Sequence, residues 1–424
     1  MNAAALILLA LFGTPLFVVI LAVAMVGFRY ADIDFSIIAA ELYRIADTPL
    51  LVALPLFTFA GNVLGHSRAS QRLVHFTRAF LGWMPGGLAV VAFVTCALFT
   101  AFTGASGVTI VALGALLYPA LKQDGYGESF SLGLVTSSGS LGLLLPPSLP
   151  LILYAIIAQQ MGAGQAVTIN GLFLAGIFPA LLMILFLCAW SLWTNRRHPI
   201  PLTRFSGRVA IRALREGIWE LPLPLVVLGG IYGGIFVVSE AAAVTALYVV
   251  VVAVFIHKEI DLKTLVGVVR ESMVMVGGII LILAASLALT NVIIDAEVPM
   301  RLFELIREHV TSKIGFLMYL NLFLLGLGAI LDIFSALLII VPLILPVAAS
   351  YGIDPVHLGI IFLANMQIGY ITPPVGMNLF IASYCFNQPV DRLYRAAWPF
   401  MLVLLAAVLV ITYWPTLSLM LIRP

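Results

Sequence analysis

The chain has 424 residues, 62% of them hydrophobic and only 9% charged, with a formal net charge of +2. A soluble domain carries about 25% charged residues, so this composition excludes a water-exposed globular surface and leaves lipid as the solvent. The near-neutral balance says little about partners, and no nucleic-acid partner is expected.

An apolar run of about 20 residues crosses the hydrocarbon core as a helix. Such runs occupy 3–27, 48–65, 129–158, 170–193, 221–256, 272–294, 357–385 and 397–420. No Lys or Arg precedes the first run, and it outlasts a signal-peptide core, so it reads as a retained membrane helix. Residues 66–82 follow as an amphipathic segment suited to the membrane interface. The stretch 84–121 is apolar but broken by small and polar residues. The densest basic stretch, 194–219, holds Arg196, Arg197, Arg204, Arg208, Arg212 and Arg215 and belongs in the cytoplasm. The run 221–256 is long enough for two short spans. Residues 299–312 form a second amphipathic segment before another broken apolar stretch.

Tracing outward from the basic connection fixes the path. Run 170–193 enters from outside and 129–158 exits, so 84–121 begins and ends on the cytoplasmic side as a re-entrant hairpin. In the other direction, 313–349 begins and ends outside and is the inverted hairpin. Sliding the chain on itself by 227 residues pairs Pro119 with Pro346, Gly125 with Gly352, Gly142 with Gly369, Pro146 with Pro373 and Pro147 with Pro374. Chance would give about one such identity. The expected fold is an all-α membrane protein with an inverted repeat, two re-entrant helical hairpins and discontinuous helices. Its first half is 1–193, with hairpin 84–121 and broken helix 129–158. A basic connection at 194–220 leads to a second half at 221–424, with hairpin 313–349 and broken helix 355–385.

The chemistry concentrates at the breaks. The first hairpin centres on Phe102-Thr103-Gly104-Ala105-Ser106-Gly107-Val108-Thr109. Glycines and hydroxyls suit exposed backbone inside protein, where carbonyl and hydroxyl oxygens can hold a hard cation. A helix N-terminus there can hold an anion. The same residues also suit a close helix-packing face. Ser137-Ser138-Gly139-Ser140-Leu141-Gly142 precedes Pro146-Pro147-Ser148, prolines that either unwind a binding-site helix or merely kink it. The second half repeats this with Gly328 to Ser335 and with Gln367 to Asn378. Asp332, inside apolar sequence, is a functional candidate or the partner of a salt bridge. Glu240 either caps a helix or lines an ion path. The six histidines lie near run ends, and Cys96, Cys188 and Cys385 are packing residues. No HExxH, paired intramembrane aspartates or GxxxxGK appears, which argues against an enzyme or an ATP-driven pump.

Six segments together resemble the large membrane subunit of tripartite ATP-independent periplasmic (TRAP) transporters. They are LVALPLFTFAGNVLG (51–65), FTGASGVTIVALGALLYPAL (102–121), GSLGLLLPPSLPLILYA (139–155), SEAAAVTA (239–246), DIFSALLIIVPLILPVA (332–348) and QIGYITPPVGMNLFIAS (367–383). The resemblance implies an elevator-type, Na+-coupled uptake system of the bacterial inner membrane. It implies a periplasmic substrate-binding protein and a small four-helix membrane subunit, the latter expected as a separate polypeptide. Its substrates are organic anions, carboxylates such as C4-dicarboxylates or sialic acids. By the family pattern, Na+ ions are expected at Ser106, Gly142, Pro147, Asp332, Thr372 and Gly376. The anion between the tips would meet Thr103, Gly104, Ser106, Ser148, Ser335 and Asn378. The competing reading is a stand-alone sodium/anion symporter of the divalent-anion type, which needs no partner subunits.

Overall fold

A chain surrounded by lipid must satisfy its backbone hydrogen bonds internally, and every regular element among the described residues is helical. The structure is a computed structural model and describes residues 14–32, 34–46, 49–84, 86–163, 166–196 and 206–422. Positions 3–13 of the first apolar run, and Arg197, His198 and Arg204 of the basic connection, lie outside the described residues.

Helices α1 (Leu16–Ala31), α2 (Ser36–Ala46) and α3 (Ala53–His66) lead to the amphipathic arm α4 (Ala69–Leu81). The first hairpin follows as α5 (Gly87–Thr103) and α6 (Ser106–Gln123), turning at Gly104 with φ 65°. The first discontinuous helix is α7 (Glu128–Ser138), a short 3-10 turn (Leu141–Leu144) and α8 (Leu149–Ala158), with a 43° bend. Span α9 (Ile169–Asn195) closes this half, and α10 (Gly207–Glu216) lies in the basic connection.

The second half runs through α11 (Pro222–Tyr232), α12 (Val238–Val250, continued by a π-turn over Val251–Ile256), α13 (Leu262–Asp295) and the arm α14 (Val298–His309). The second hairpin is α15 (Lys313–Gly328) and α16 (Ile333–Ser350). The second discontinuous helix is α17 (Pro355–Gly369) and α18 (Met377–Phe386), followed by α19 (Val390–Tyr413) and the short α20 (Thr416–Leu419).

The 227-residue shift carries α6 onto α16 end to end and brings α4, α5, α7 and α8 onto α14, α15, α17 and α18 within two residues at their starts. Gly125 and Gly352, which end α6 and α16, both take positive φ, and the Pro146-Pro147 and Pro373-Pro374 bonds are both cis. The halves interlock by exchange: α6 packs on α18, and α16 packs on α8.

The expectation of two short spans over 221–256 needs adjustment. At 1.5 Å per residue α11 is only about 16 Å long, well short of the hydrocarbon core. Val238–Ile256, by contrast, is a 19-residue span. Gly229, Gly230, Gly233 and Gly234 crowd the end of α11 and stop it early. Its last residue still reaches the far side, where the Tyr232 hydroxyl donates to the Asn170 carbonyl at 3.3 Å. Glu240 sits in the first turn of α12 and accepts the Val237 N–H at 3.1 Å, so the capping role holds.

A small core of Ala60, Val63, Leu64, Ala246, Val249 and Val268 joins α3, α12 and α13. The larger core joins the hairpins, the broken helices, α9 and α19. Arm α4 is pinned to the ends of the first group that lie beside the basic connection. Arg72 lies 2.6 Å from Glu220, just before α11, and 2.5 Å from Glu259, just after α12. Both ends of 221–256 therefore meet at one guanidinium on one face. Burial alone would push the Glu259 carboxyl up. Hydrogen bonds from Arg72 and the Arg68 N–H, with the Arg72 charge, bring it below its ordinary value.

Candidate functional site at the crossing of the two broken helices

The hydroxyl of Ser140 donates to the carbonyl of Gln367 at 3.3 Å. These residues are 227 apart, so the two breaks cross where the repeats are related to one another. A second tie spans the halves there: the Asn378 amide donates to the Thr136 carbonyl at 3.4 Å.

Each hairpin lies directly on its own break through a glycine. A Cβ on Gly142 would stand 2.0 Å from the Ala97 carbonyl oxygen and 2.5 Å from the Ala101 nitrogen, both in α5. A Cβ on Gly369 would stand 2.5 Å from the Gly328 backbone at the end of α15. No real side chain tolerates such distances from main chain, so both positions require glycine. The repeat identity at 142 and 369 thus has a steric cause.

The first tip is rich in oxygen. The Thr100 hydroxyl lies 2.7 Å from both the Cys96 carbonyl and the Thr109 hydroxyl, and 2.8 Å from the Gly139 carbonyl. One hydroxyl proton serves one acceptor at a time, so acceptors outnumber donors, as a hard cation prefers. Thr103 and Ser106 are buried beside them, and no side chain caps the N-terminus of α6. Gly104 turns the chain there, and Pro147 and Ser148 are buried at the break. The Ser148 hydroxyl is committed to the Leu143 carbonyl within its own segment.

The second tip carries a charge. Asp332 precedes α16, and its carboxylate accepts the N–H groups of Phe334 and Ser335 at 3.0 Å each. It pairs with no cation among the described residues, so the salt-bridge reading finds no partner there. The Tyr370 hydroxyl accepts the Ile333 N–H at 2.8 Å, and Gly376 N–H donates to the Ala329 carbonyl at 3.0 Å. These bonds seat the tip on the second break. Thr372 donates to Ile368 at 2.8 Å, one turn back in its helix. Among the described residues, no three or more His, Cys, Asp or Glu gather as a metal cage. Any cation here is held by hydroxyl, carbonyl and single carboxylate oxygens.

Three polar side chains at the crossing are deeply buried yet incompletely bonded. Both amide atoms of Gln367, the Asn378 Oδ1 and the Ser137 Oγ have no hydrogen-bond partner. Each such atom costs about 1–3 kcal/mol when buried, which marks polar surface kept for something other than packing. Thr100 joins the site although sequence reasoning did not name it, while Thr109, Gln367 and Tyr370 join it from within the tip and break segments already marked. An amide within the apolar α17, where Asn365 is the other, was the available signal for Gln367. Nothing in the sequence distinguishes Thr100 from any helical threonine bonded one turn back.

The family model for the DctM component of tripartite ATP-independent periplasmic transporters matches residues 3–417. The C4-dicarboxylate TRAP transporter large permease protein DctM of Rhodobacter capsulatus is 35% identical, over 98% of this chain and 96% of the relative. The isethionate TRAP transporter permease protein DctMQ of Oleidesulfovibrio alaskensis is 33% identical, over 91% of this chain and 60% of its own length. Among solved structures, the YdaH transporter of Alcanivorax borkumensis superposes with a TM-score of 0.62. It is 15% identical, with 92% of this chain and 89% of that one covered, a likeness of fold.

Proposed function

The chain belongs to the tripartite ATP-independent periplasmic transporter family as a DctM component, the large permease, and from that membership we propose that it couples inward Na+ movement to uptake of an organic anion. It is a multi-pass membrane protein and a transport protein, not an enzyme. The anion arrives from a periplasmic binding protein, and a separate small four-helix subunit completes the permease in the bacterial inner membrane. Carboxylates, C4-dicarboxylates or sialic acids among them, are the proposed class. The relative named for isethionate widens it to sulfonates.

The observation that carries this reading is the crossing of two unwound helices, with a hairpin tip seated on each. The tips differ in sign. The N-terminus of α16 already receives the Asp332 carboxylate. The N-terminus of α6 has no such cap and is the place for a substrate carboxylate, near Thr103, Gly104 and Ser106. Na+ then belongs with the oxygens of Thr100, Ser106, Gly139 and Gly142 at one tip. At the other it belongs with those of Asp332, Tyr370, Thr372 and Gly376. Each ion orders a tip whose ordering the anion also needs, and that shared cost is the coupling. In the elevator form of the proposal, the hairpin body moves against α1–α3 and α11–α13, with α4 and α14 as its arms.

The test is uptake by the complete complex in proteoliposomes with an imposed Na+ gradient. Uptake that stops when K+ replaces Na+, and when the binding protein is left out, supports the proposal. Unchanged uptake in K+ discards the coupling. Full-rate uptake without the binding protein favours the stand-alone symporter.

A further inference from the structure

Helix α10, between the two halves, takes no part in the site. Its ten residues read Gly-Arg-Val-Ala-Ile-Arg-Ala-Leu-Arg-Glu. At about 100° per residue, Arg208, Arg212 and Arg215 share one face. Ala210 and Ala213 lie opposite, buried, with the helix packed on arm α4. On the flank between these faces, Ile211 is 55% exposed and Leu214 43% exposed. Ile218 and Trp219 continue the exposed apolar surface beyond the helix end. A groove lined by Arg208, Val209, Ile211, Arg212, Arg215 and Glu216 runs along the outer side. Glu216 lies 3.7 Å from Arg212 and 3.5 Å from His75 of α4. Among the described residues, Arg208 and Arg215 have no carboxylate within ion-pair distance.

Two observations set the level of this helix. The Trp219 carbonyl accepts the Tyr248 hydroxyl of α12, a membrane span, at 2.7 Å. Glu220, the next residue, is bonded to Arg72, and α11 begins two residues later. α10 therefore lies where the chain enters the membrane, on the face its arginines assign to the cytoplasm. A helix facing only water would not expose Ile211, Leu214, Ile218 and Trp219 together. A cationic face beside an apolar flank, with a tryptophan at its end, is the pattern of an interfacial helix.

We propose that α10 is a binding surface for anionic phospholipid of the cytoplasmic leaflet. Arg208, Arg212 and Arg215 hold phosphodiester headgroups, and Ile211, Leu214, Ile218 and Trp219 sit at the acyl boundary. The surface is independent of the transported substrate. Because α10 rests on α4, bound lipid steadies the arm that leads into the first hairpin.

The full-length chain is placed in phosphatidylcholine nanodiscs containing trace spin-labelled phosphatidylglycerol or spin-labelled phosphatidylcholine. Motionally restricted lipid is then measured by electron spin resonance. Phosphatidylglycerol is expected to be enriched about threefold over phosphatidylcholine in 0.1 M KCl, falling toward parity in 0.5 M KCl. The variant R208Q/R212Q/R215Q loses the enrichment, and R208K/R212K/R215K keeps most of it. The three side chains are exposed, and an unchanged circular dichroism spectrum and elution volume show that the fold is intact. Inorganic phosphate competes no better than chloride at equal ionic strength. Equal enrichment in the glutamine variant overturns the proposal. So does displacement by phosphate alone, which would indicate a free-anion site. If the glutamine variant keeps its lipid preference but no longer co-purifies with the small membrane subunit, the surface belongs to a protein partner and the lipid assignment is wrong.

Discussion

The two hairpin tips occupy equivalent places in a repeated frame, yet they have opposite chemistry. At the first, α6 begins without a capping side chain, among the hydroxyls of Thr100, Thr103, Ser106 and Thr109. At the second, α16 begins under its own carboxylate, Asp332. Asp332 corresponds to Ala105 in the repeat. Repetition therefore supplies the geometry, a break with a tip seated on it, and departure from repetition supplies the charge. The uncapped positive end of one helix suits an anion. The other end, neutralised from within, leaves carboxylate and carbonyl oxygens for a cation.

Asp332→Ala tests this contrast most severely. It removes the carboxylate of the second tip, and Na+-driven uptake should fall roughly 100-fold while membrane insertion and the elution profile are kept. The matching change at the first tip, Ala105→Asp, should inhibit uptake by placing a carboxylate at the helix end proposed for the anion. Wild-type uptake in Asp332→Ala would reduce that residue to a helix cap.

The tips also differ in what covers them. A Cβ on Gly61 of α3 would lie 2.6 Å from the Phe102 carbonyl oxygen and 2.7 Å from the Thr103 Cα. The first tip is thus pressed on α3, main chain to main chain. Gly61→Leu should hold it off and lower uptake about tenfold, with Gly61→Ala milder; uptake at the wild-type rate in the leucine variant would show that this contact is idle. The second tip is open: Ile330 is 65% exposed, against 9% for Phe102. In a background with Cys96, Cys188 and Cys385 replaced, a cysteine at 330 should react with a membrane-impermeant maleimide several-fold faster than one at 102. Equal rates would mean that access does not distinguish the tips.

Much of this frame was legible because its marks are steric. Proline and glycine at 142, 146, 147, 369, 373 and 374 record where helices unwind and where main chains touch, and such requirements leave few substitutes. The arithmetic of basic connections implies the inverted orientation from the distribution of arginines alone. The oxygen cluster around Thr100 was illegible for the converse reason. A buried threonine bonded to the carbonyl one turn back reads the same whether or not another helix brings a second carbonyl, here Gly139, to the same oxygen. Asn378, expected beside the substrate, is partly spent on the Thr136 carbonyl. Only the crossing of the two halves creates that bond. The length of α11 escaped as well, because apolar residues continue past the point where its glycines end the helix.

The arms differ as the tips do, and this is the smallest effect the comparison yields. α4 is fastened to both ends of 221–256 by Arg72, between Glu220 and Glu259. In α14, Arg301, Glu304, Arg307 and Glu308 form no ion pair among the described residues, and Arg307 lies over the Phe303 ring. Glu259 titrates below its ordinary value of 4.5 in the folded chain. Its contribution is therefore fully present above about pH 4.5 and is lost as the pH falls through the lower folded value. Glu259→Gln should cost about 1 kcal/mol at pH 7, because the site is only partly shielded from water. The cost should shrink under acid, where the native carboxylate is itself protonated. Thermal unfolding at pH 7 and at about pH 2.5, well below the ordinary carboxylate value, measures both. An equal cost at the two values would show that Glu259 acts by packing, and α4 would then be held no differently from α14.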